Sequence, residues 1–257
     1  MKYQIKQLGL GGILDQAISL LRNHFGLLFG IVGMTIIPYF AILGLVKLSI
    51  VVPGDLRSVQ TGAIVDGLGV LLAGFVLGPL VNAAVIHAVA SAYLSRPTTI
   101  GQCFSHAFQR YFALLGTTLL MMLAVFGGML LCLVPGIIFA FWYMLAQHVA
   151  VLEGTAGSAA LGRSKALMKG NIGTGFVLGL VVTLINLGMG LGAAVIPQPH
   201  VQVAATAMAQ GIATLLATCS LVVFYFSCRC KFENFDLQVL ADAVGANADA
   251  QPTESQG

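Results

Sequence analysis

Six long apolar stretches, separated by short loops, decide what this chain can fold into. They run at roughly 26–46, 67–94, 112–134, 136–152, 172–196 and 203–227. A membrane-spanning helix needs about 20 apolar residues at about 1.5 Å rise each. Phe112 to Val134 and Ile172 to Ile196 supply that length without a charged residue. Ile137 to Leu152 is short, but Val134-Pro135-Gly136 leaves room only for a tight turn, so it pairs with the span before it as a hairpin. The stretch from Asp66 to Leu94 is overlong and is expected to tilt or to project at one end.

Composition agrees. The chain is 58% hydrophobic and 8% charged, whereas soluble domains carry about a quarter charged residues. The charges are also sorted. Lys2, Lys6, Arg22, Arg96, Arg110, Arg163, Lys165, Lys169, Arg229 and Lys231 fall on one side of the threading, against Lys47 and Arg57 on the other. Basic residues near span ends resist translocation, so the rich side and both termini are expected in the cytoplasm. Basic clusters beside a membrane point to anionic lipid headgroups rather than nucleic acid.

The first 25 residues have no continuous apolar core, since Asp15, Gln16, Ser19 and Arg22 interrupt them, so no cleavable signal peptide is expected. The five cysteines (Cys103, Cys132, Cys219, Cys228 and Cys230) form no disulfide framework. Cys228 and Cys230 make a lone C-x-C without a nearby histidine, which argues for buried thiols rather than a metal site.

Three spans are preceded by a short amphipathic helix on the basic side. In one, Ile100, Cys103, Phe104, Ala107, Phe108 and Tyr111 recur at helical spacing, with Thr98 or Thr99 as cap. Another aligns Leu14, Ala17, Ile18, Leu21 and Phe25 against Asp15, Gln16, Ser19, Arg22 and Asn23. The last carries Ala160, Leu161, Ser164, Leu167 and Met168, flanked by Arg163, Lys165 and Lys169, and Gly170 ends it. Such helices lie in the headgroup plane. Arg22, Arg110, Arg163, Lys165 and Lys169 are the candidate headgroup ligands, and Leu161, Leu167 and Met168 the expected anchors in the acyl boundary. Interfacial helix, elbow and hairpin then repeat three times, as a recurring packing solution or a remote internal repeat. The reading is an all-α polytopic membrane protein with six transmembrane helices and cytoplasmic-side interfacial helices. One integral domain covers 1–244, including an amphipathic piece at Leu237, Leu240, Ala241 and Val244, and a disordered cytoplasmic tail covers 245–257.

Polar groups at membrane depth are functional candidates by default. Asn82, His87, His148, Asn186 and Gln210 are the set that would make an intramembrane polar pocket, although Asn82 and His87 sit about 140° apart on their helix. The plainer reading is hydrogen bonding between helices. Asp66 opens the second span, where hydration or capping explains it. Glu153 lies ten residues before Arg163, placed to serve a helix N-terminus or to pair with that arginine. Gly26 with Gly30, Gly74 with Gly78, Gly175 with Gly179 and Gly188 with Gly192 favour close helix packing, with a homo-oligomer face as the sharper reading. Phosphate-loop, zinc-protease and nucleophile-elbow motifs are absent, and no metal or cofactor is expected.

Pro135-Gly136-Ile137, Glu153-Gly154, Ala160-Leu161-Gly162-Arg163-Ser164, Leu167, Lys169-Gly170 and the closing Arg229-Cys230-Lys231-Phe232-Glu233-Asn234-Phe235-Asp236-Leu237 form a familiar set. Together they resemble the membrane domain of glycerophosphoryl diester phosphodiesterase-like proteins and of bacterial inner-membrane proteins of the UPF0259 group. Pro135, Gly136, Glu153, Arg163 and Ser164 are the structural motif of that resemblance. Asn234 and Cys230 depart from it. In those phosphodiesterases catalysis belongs to a separate soluble barrel of about 200 or more residues, so the resemblance implies the six-span architecture and a role near lipids, not the enzymatic activity. The expectation is a non-enzymatic bacterial inner-membrane protein in envelope or lipid homeostasis, acting through lipid or other membrane proteins. A small-solute transporter or channel is the alternative, supported by the spans and by Gly/Pro interruptions such as Pro38 and Gly78-Pro79.

Overall fold

Thr99 marks the sharpest helix boundary in the chain. Its hydroxyl accepts from the Gln102 amide at 3.4 Å while Gln102 Oε1 accepts from the Thr99 amide at 3.0 Å. This reciprocal capping box satisfies two amides that a helix start leaves without partners. Thr98 instead contacts the Cys103 thiol.

The structure is a computed structural model that describes residues 6–35, 61–62, 64–65, 67–69, 73–195 and 197–237. Every regular element among these is helical. The helices are α1 (Leu10–Asn23), α2 (Phe25–Thr35), α3 (Gly78–Tyr93, entered through a π turn at Ala73–Leu77), α4 (Ile100–Gln109) and α5 (Tyr111–Leu131). They continue as α6 (Leu133–Trp142), α7 (Ala146–Leu152), α8 (Ser158–Met168), α9 (Ile172–Ala194) and α10 (Pro199–Glu233). Among the described residues five helical stretches are long and apolar enough to cross a membrane: Gly67–Tyr93, Tyr111–Leu131, Leu133–Leu152, Ile172–Gly192 and Met208–Glu233. Counting α1 and α2, bent by 74°, as one span makes six. The all-α polytopic fold expected from the apolar runs is therefore present, and helices are what lipid demands, since they satisfy their own backbone groups.

The far half of the first span, Pro38, Lys47, Arg57, Asp66, Leu240, Ala241, Val244 and the tail lie outside the described residues.

α10 is the hub. Of its most apolar window 67% is buried, against 11% for α9. It packs against α9, α1 and α3, and Tyr93 of α3 stacks on its Phe226. The exposed side chains of α9 and α5, such as Leu184, Leu191, Leu123 and Phe126, are those that lipid would cover.

Two expectations about the central hairpin change. The turn is not at Pro135-Gly136 but at Cys132, whose extended backbone separates α5 from α6. Pro135 falls in the first turn of α6, where a missing amide proton costs nothing. Gly136 is pressed against the preceding helix: a Cβ there would stand 2.7 Å from the Met129 nitrogen and 2.8 Å from its Cα. Gly128 faces it with the same need, its notional Cβ 3.0 Å from the Gly136 Cα. The fourth span gains length as a result, running over 20 residues from Leu133 to Leu152. It bends at Tyr143–Leu145, and Ser164 of α8 donates its hydroxyl to the Trp142 carbonyl at that break, 2.8 Å away.

The short helices fit the bundle more closely than a headgroup-plane reading implies. Ala160, Leu161, Ser164, Leu167 and Met168 of α8 are all buried against protein. Leu161, Leu167 and Met168 are thus core residues and not acyl-boundary anchors, because α5, α6, α7 and α10 supply the apolar surface their stripe needs. In α1 the buried stripe is Ile13, Ala17 and Leu20, with Ile18 exposed; in α4 Cys103 and Ala107 are buried while Phe108 is exposed. Each short helix leads into a long one across a brief break, at His24, at Arg110 and at Lys169–Asn171, so the expected elbow occurs three times. Of the small-residue pairs, Gly175 and Gly179 meet Met168 and Phe141, whereas Gly188 and Gly192 face open space.

Candidate functional site

Two polar constellations stand out, one at an end of the bundle and one inside it.

The end of the bundle gathers most of the described basic residues. Glu153 closes α7, and Arg163, one and a half turns into α8, donates from Nε to both its oxygens at 3.2 and 2.9 Å. The same guanidinium donates through Nη2 to Glu233 at the end of α10. Glu233 also accepts from Arg229 Nε at 2.9 Å, and the Tyr225 hydroxyl donates to Glu153 Oε1 at 2.8 Å. Tyr225, Arg229 and Glu233 are spaced four apart and so share one face of α10. The hydrogen bond to Glu153, reinforced by Glu233, holds the Arg163 guanidinium charged beyond its ordinary range. With side chains 31%, 16% and 24% exposed, Arg163, Glu153 and Glu233 are partly withdrawn from water, where a charge-assisted arginine–carboxylate pair is worth more than at a fully exposed site. Each carboxylate is engaged by a guanidinium, which fixes three helices instead of leaving a base free for chemistry.

Glu153 ends α7 and does not cap the N-terminus of α8, contrary to one sequence expectation. The N-cap of α8 is Gly157, without a side-chain cap; its amide donates to Thr117 of α5 at 2.8 Å. Gly154, at φ +74°, gives its side-chain space to the guanidinium of Arg110, a conformation and a vacancy that glycine alone supplies. Lys165 lies 4.0 Å from the Trp142 ring centroid, and Lys231 donates to the Gly170 carbonyl and to Asn171. Among the candidate headgroup ligands, then, Arg163 is committed to carboxylates and Arg110 packs on Gly154, while Arg22, Lys165 and Lys169 remain exposed. The arginine–carboxylate pair was legible from spacing; Tyr225, Arg229 and Glu233 were not assigned, although their period of four could have revealed them.

The second constellation lines a cavity of about 880 Å³ among α2, α3, α5, α6, α7, α9 and α10. Its wall is mainly apolar, with Val81, Val85, Met121, Val125, Met144 and Leu221 among the lining residues. Four of the five expected pocket residues reach it: Asn82, His148, Asn186 and Gln210. His87 does not. The turn between it and Asn82 points it at α4, where it stacks on His106 at 4.3 Å, and His106 Nε2 in turn lies 3.3 Å from the Val151 carbonyl. Gln147, Thr35, Thr214 and Thr218 join the lining. Gln147, next to His148 on the same apolar span, is legible in the sequence as a polar group at membrane depth but not as part of the pocket set.

Most of these polar groups are satisfied locally. Asn82 donates to Gln147 Oε1, and Gln147 donates onward to Thr118 at 3.2 Å. Asn186 donates to the Val182 carbonyl, Thr214 to Gln210 and Thr218 to Thr214. His148 is the exception. It is only 3% exposed, and among the described residues neither of its ring nitrogens has a hydrogen-bond partner. No Asp, Glu, Lys or Arg is among the cavity's described lining residues. Among the described residues there is also no group of His, Cys, Asp or Glu able to hold a metal ion.

A family model described as a domain of unknown function (DUF8558) matches residues 103–252. That stretch takes in α5 to α10, both carboxylates of the end network and His148. No curated protein and no solved structure matches the chain.

Proposed function

The chain belongs to the DUF8558 family, and from the cavity its helices line we propose that it is a non-enzymatic membrane protein that binds a lipid-like molecule. The single observation carrying this is a largely apolar cavity of about 880 Å³, without charged lining residues among those described, set within membrane-spanning helices. Its volume falls in the range of about 300–1,000 Å³ common for small-molecule sites. An apolar wall with a few convergent polar groups suits a molecule with a tail and a small head. The setting we infer is the bacterial inner membrane, with the basic end of the bundle and both termini in the cytoplasm, since ten of the twelve lysines and arginines fall on that side. The role is then in envelope or lipid homeostasis, with anionic headgroups meeting the exposed Arg22, Lys165 and Lys169 and with other membrane proteins as partners. The motif resemblance to the membrane domain of phosphodiesterase-like proteins supports a place near lipids.

A small-solute transporter is the second reading. One feature favours it: the π turn at Ala73–Leu77, just before Gly78-Pro79, interrupts a spanning helix beside the cavity, and such turns recur at functional sites. Ion-coupled transport lacks a charged carrier in the described lining.

Gly211 provides the test. It lines the cavity, and a Cβ there would meet nothing within 4 Å. Gly211→Leu should fill the space without disturbing the helix. Protein purified in mild detergent should carry a bound lipid by mass spectrometry, and the variant should carry several-fold less while unfolding at the same or a higher temperature. Equal lipid on both, with solute flux in liposomes blocked only by Gly211→Leu, would shift the function to transport.

A further inference from the structure

We infer that the cavity takes an uncharged amphiphile whose head carries a hydroxyl group, and that His148 is the residue that reads this head. The inference rests on the lipid-binding reading and names the class of ligand.

The polar groups around the cavity divide into two kinds. Asn82, Gln147 and Thr118 are joined in one line of hydrogen bonds that ends on the Leu114 carbonyl. His148, on the adjoining position of α7, has both Nδ1 and Nε2 buried and unpartnered among the described residues. A buried donor or acceptor left unpaired is costly, and such groups in a folded protein call for an explanation. His148 lines the cavity, and although its nitrogens are sealed from that space as the ring stands, a turn of the imidazole would present one of them to a ligand there.

The chemistry of the ring narrows the ligand. Neutral imidazole offers one N–H donor and one lone-pair acceptor. A hydroxyl group also has one donor and acceptor lone pairs, so it can engage either ring nitrogen, and a head with two hydroxyls can engage both. A phosphate or carboxylate head would instead need a cation, because an ionised group taken into an apolar cavity is stable only when paired. No cation stands among the described lining residues. Arg163 is occupied by Glu153 and Glu233, and Arg110 lies against Gly154 outside the lining. Anionic lipids are therefore left to the exposed surface, and the cavity to a neutral molecule such as a monoacylglycerol or a long-chain alcohol.

The test uses the full chain, delipidated in detergent and titrated at neutral pH with monooleoylglycerol, methyl oleate, oleate and dioleoylphosphatidylglycerol, with bound species counted by native mass spectrometry. Monooleoylglycerol should bind about tenfold more tightly than methyl oleate, the difference expected for one buried hydrogen bond, and more tightly than either anion. His148→Leu should lose that preference while the ligand-free variant unfolds at the same or a higher temperature, and His148→Gln, which keeps a donor and an acceptor, should restore part of it. If wild type holds monooleoylglycerol and methyl oleate equally, or prefers an anion, the inference about the head is overturned and lipid binding stands. That comparison needs no variant, so it decides the matter even if His148→Leu fails to fold. If none of the four binds in a way that Gly211→Leu blocks, His148 is only an unpaired core histidine and the lipid-binding reading falls with it.

Discussion

The Tyr225 hydroxyl donates to Glu153 Oε1 at 2.8 Å, joining the hub helix to the link between α7 and α8. Arg163 grips the same carboxylate from the other side and reaches on to Glu233. Three helices thus meet on two acids and two arginines whose charges cancel. Two of the helices tied together there, α7 and α10, also wall the cavity.

Removing Glu153 should therefore cost more than removing any one of its hydrogen bonds. Glu153→Gln is expected to destabilise the detergent-solubilised protein by about 1–3 kcal/mol, and Tyr225→Phe by about 1 kcal/mol. A double-mutant cycle between Glu153→Gln and Arg163→Gln should show clear non-additivity. Strictly additive losses in unfolding experiments would mean the two side chains do not act as one unit.

Gly136 and Gly128 set the spacing of the α5–α6 hairpin. Gly136→Ala should destabilise by about 1–3 kcal/mol, as overpacking does, because the new methyl meets backbone atoms of Met129. Gly127→Ala, one residue from Gly128 but facing open space, is the control and should be neutral or slightly stabilising. Matching melting temperatures for Gly136→Ala and wild type would refute the close contact.

Cys132 is a native reporter of topology. It forms the hairpin turn and is exposed, whereas Cys103, Cys219, Cys228 and Cys230 are buried, and burial pushes the Cys103 thiol up from its ordinary range, slowing its reaction further. In intact cells an impermeant maleimide should label Cys132 and leave Cys132→Ser carrying Ser105→Cys unlabelled. Labelling in the opposite pattern would invert the threading.

Surface cations and network cations should separate in their effects. Replacing Arg22, Lys165 and Lys169 by Gln should lower anionic-lipid retention, at about 1 kcal/mol of attraction for each basic residue, with little change in stability. Arg163→Gln should do the reverse, lowering stability with little change in anionic lipid. Lipid analysis beside thermal unfolding distinguishes the two sets.

The helices and their order were legible because lipid-facing segments must be apolar along their whole length, a signal that needs no partner to be read. The elbows were legible for the same reason, since Ile100 to Tyr111 and Leu10 to Asn23 alternate at helical spacing. What Leu161, Leu167 and Met168 touch was not: an apolar stripe looks the same whether lipid or α10 covers it. The turn was misplaced by three residues because Pro-Gly signals either a turn or the first turn of a helix, and only the contact with Met129 decides between them. Asn82, His148, Asn186 and Gln210 could be named as one set, but their shared cavity depends on how four helices rotate, and the departure of His87 follows from its position on the α3 face.

The most direct test of the account is a cryo-electron microscopy map of the full chain in lipid nanodiscs. It should show elongated density inside the cavity between α3, α5, α7 and α10, with its polar end within hydrogen-bonding distance of His148, and this density should vanish in Gly211→Leu. A cavity filled by protein side chains, or a continuous water-filled path to both membrane faces, would contradict it.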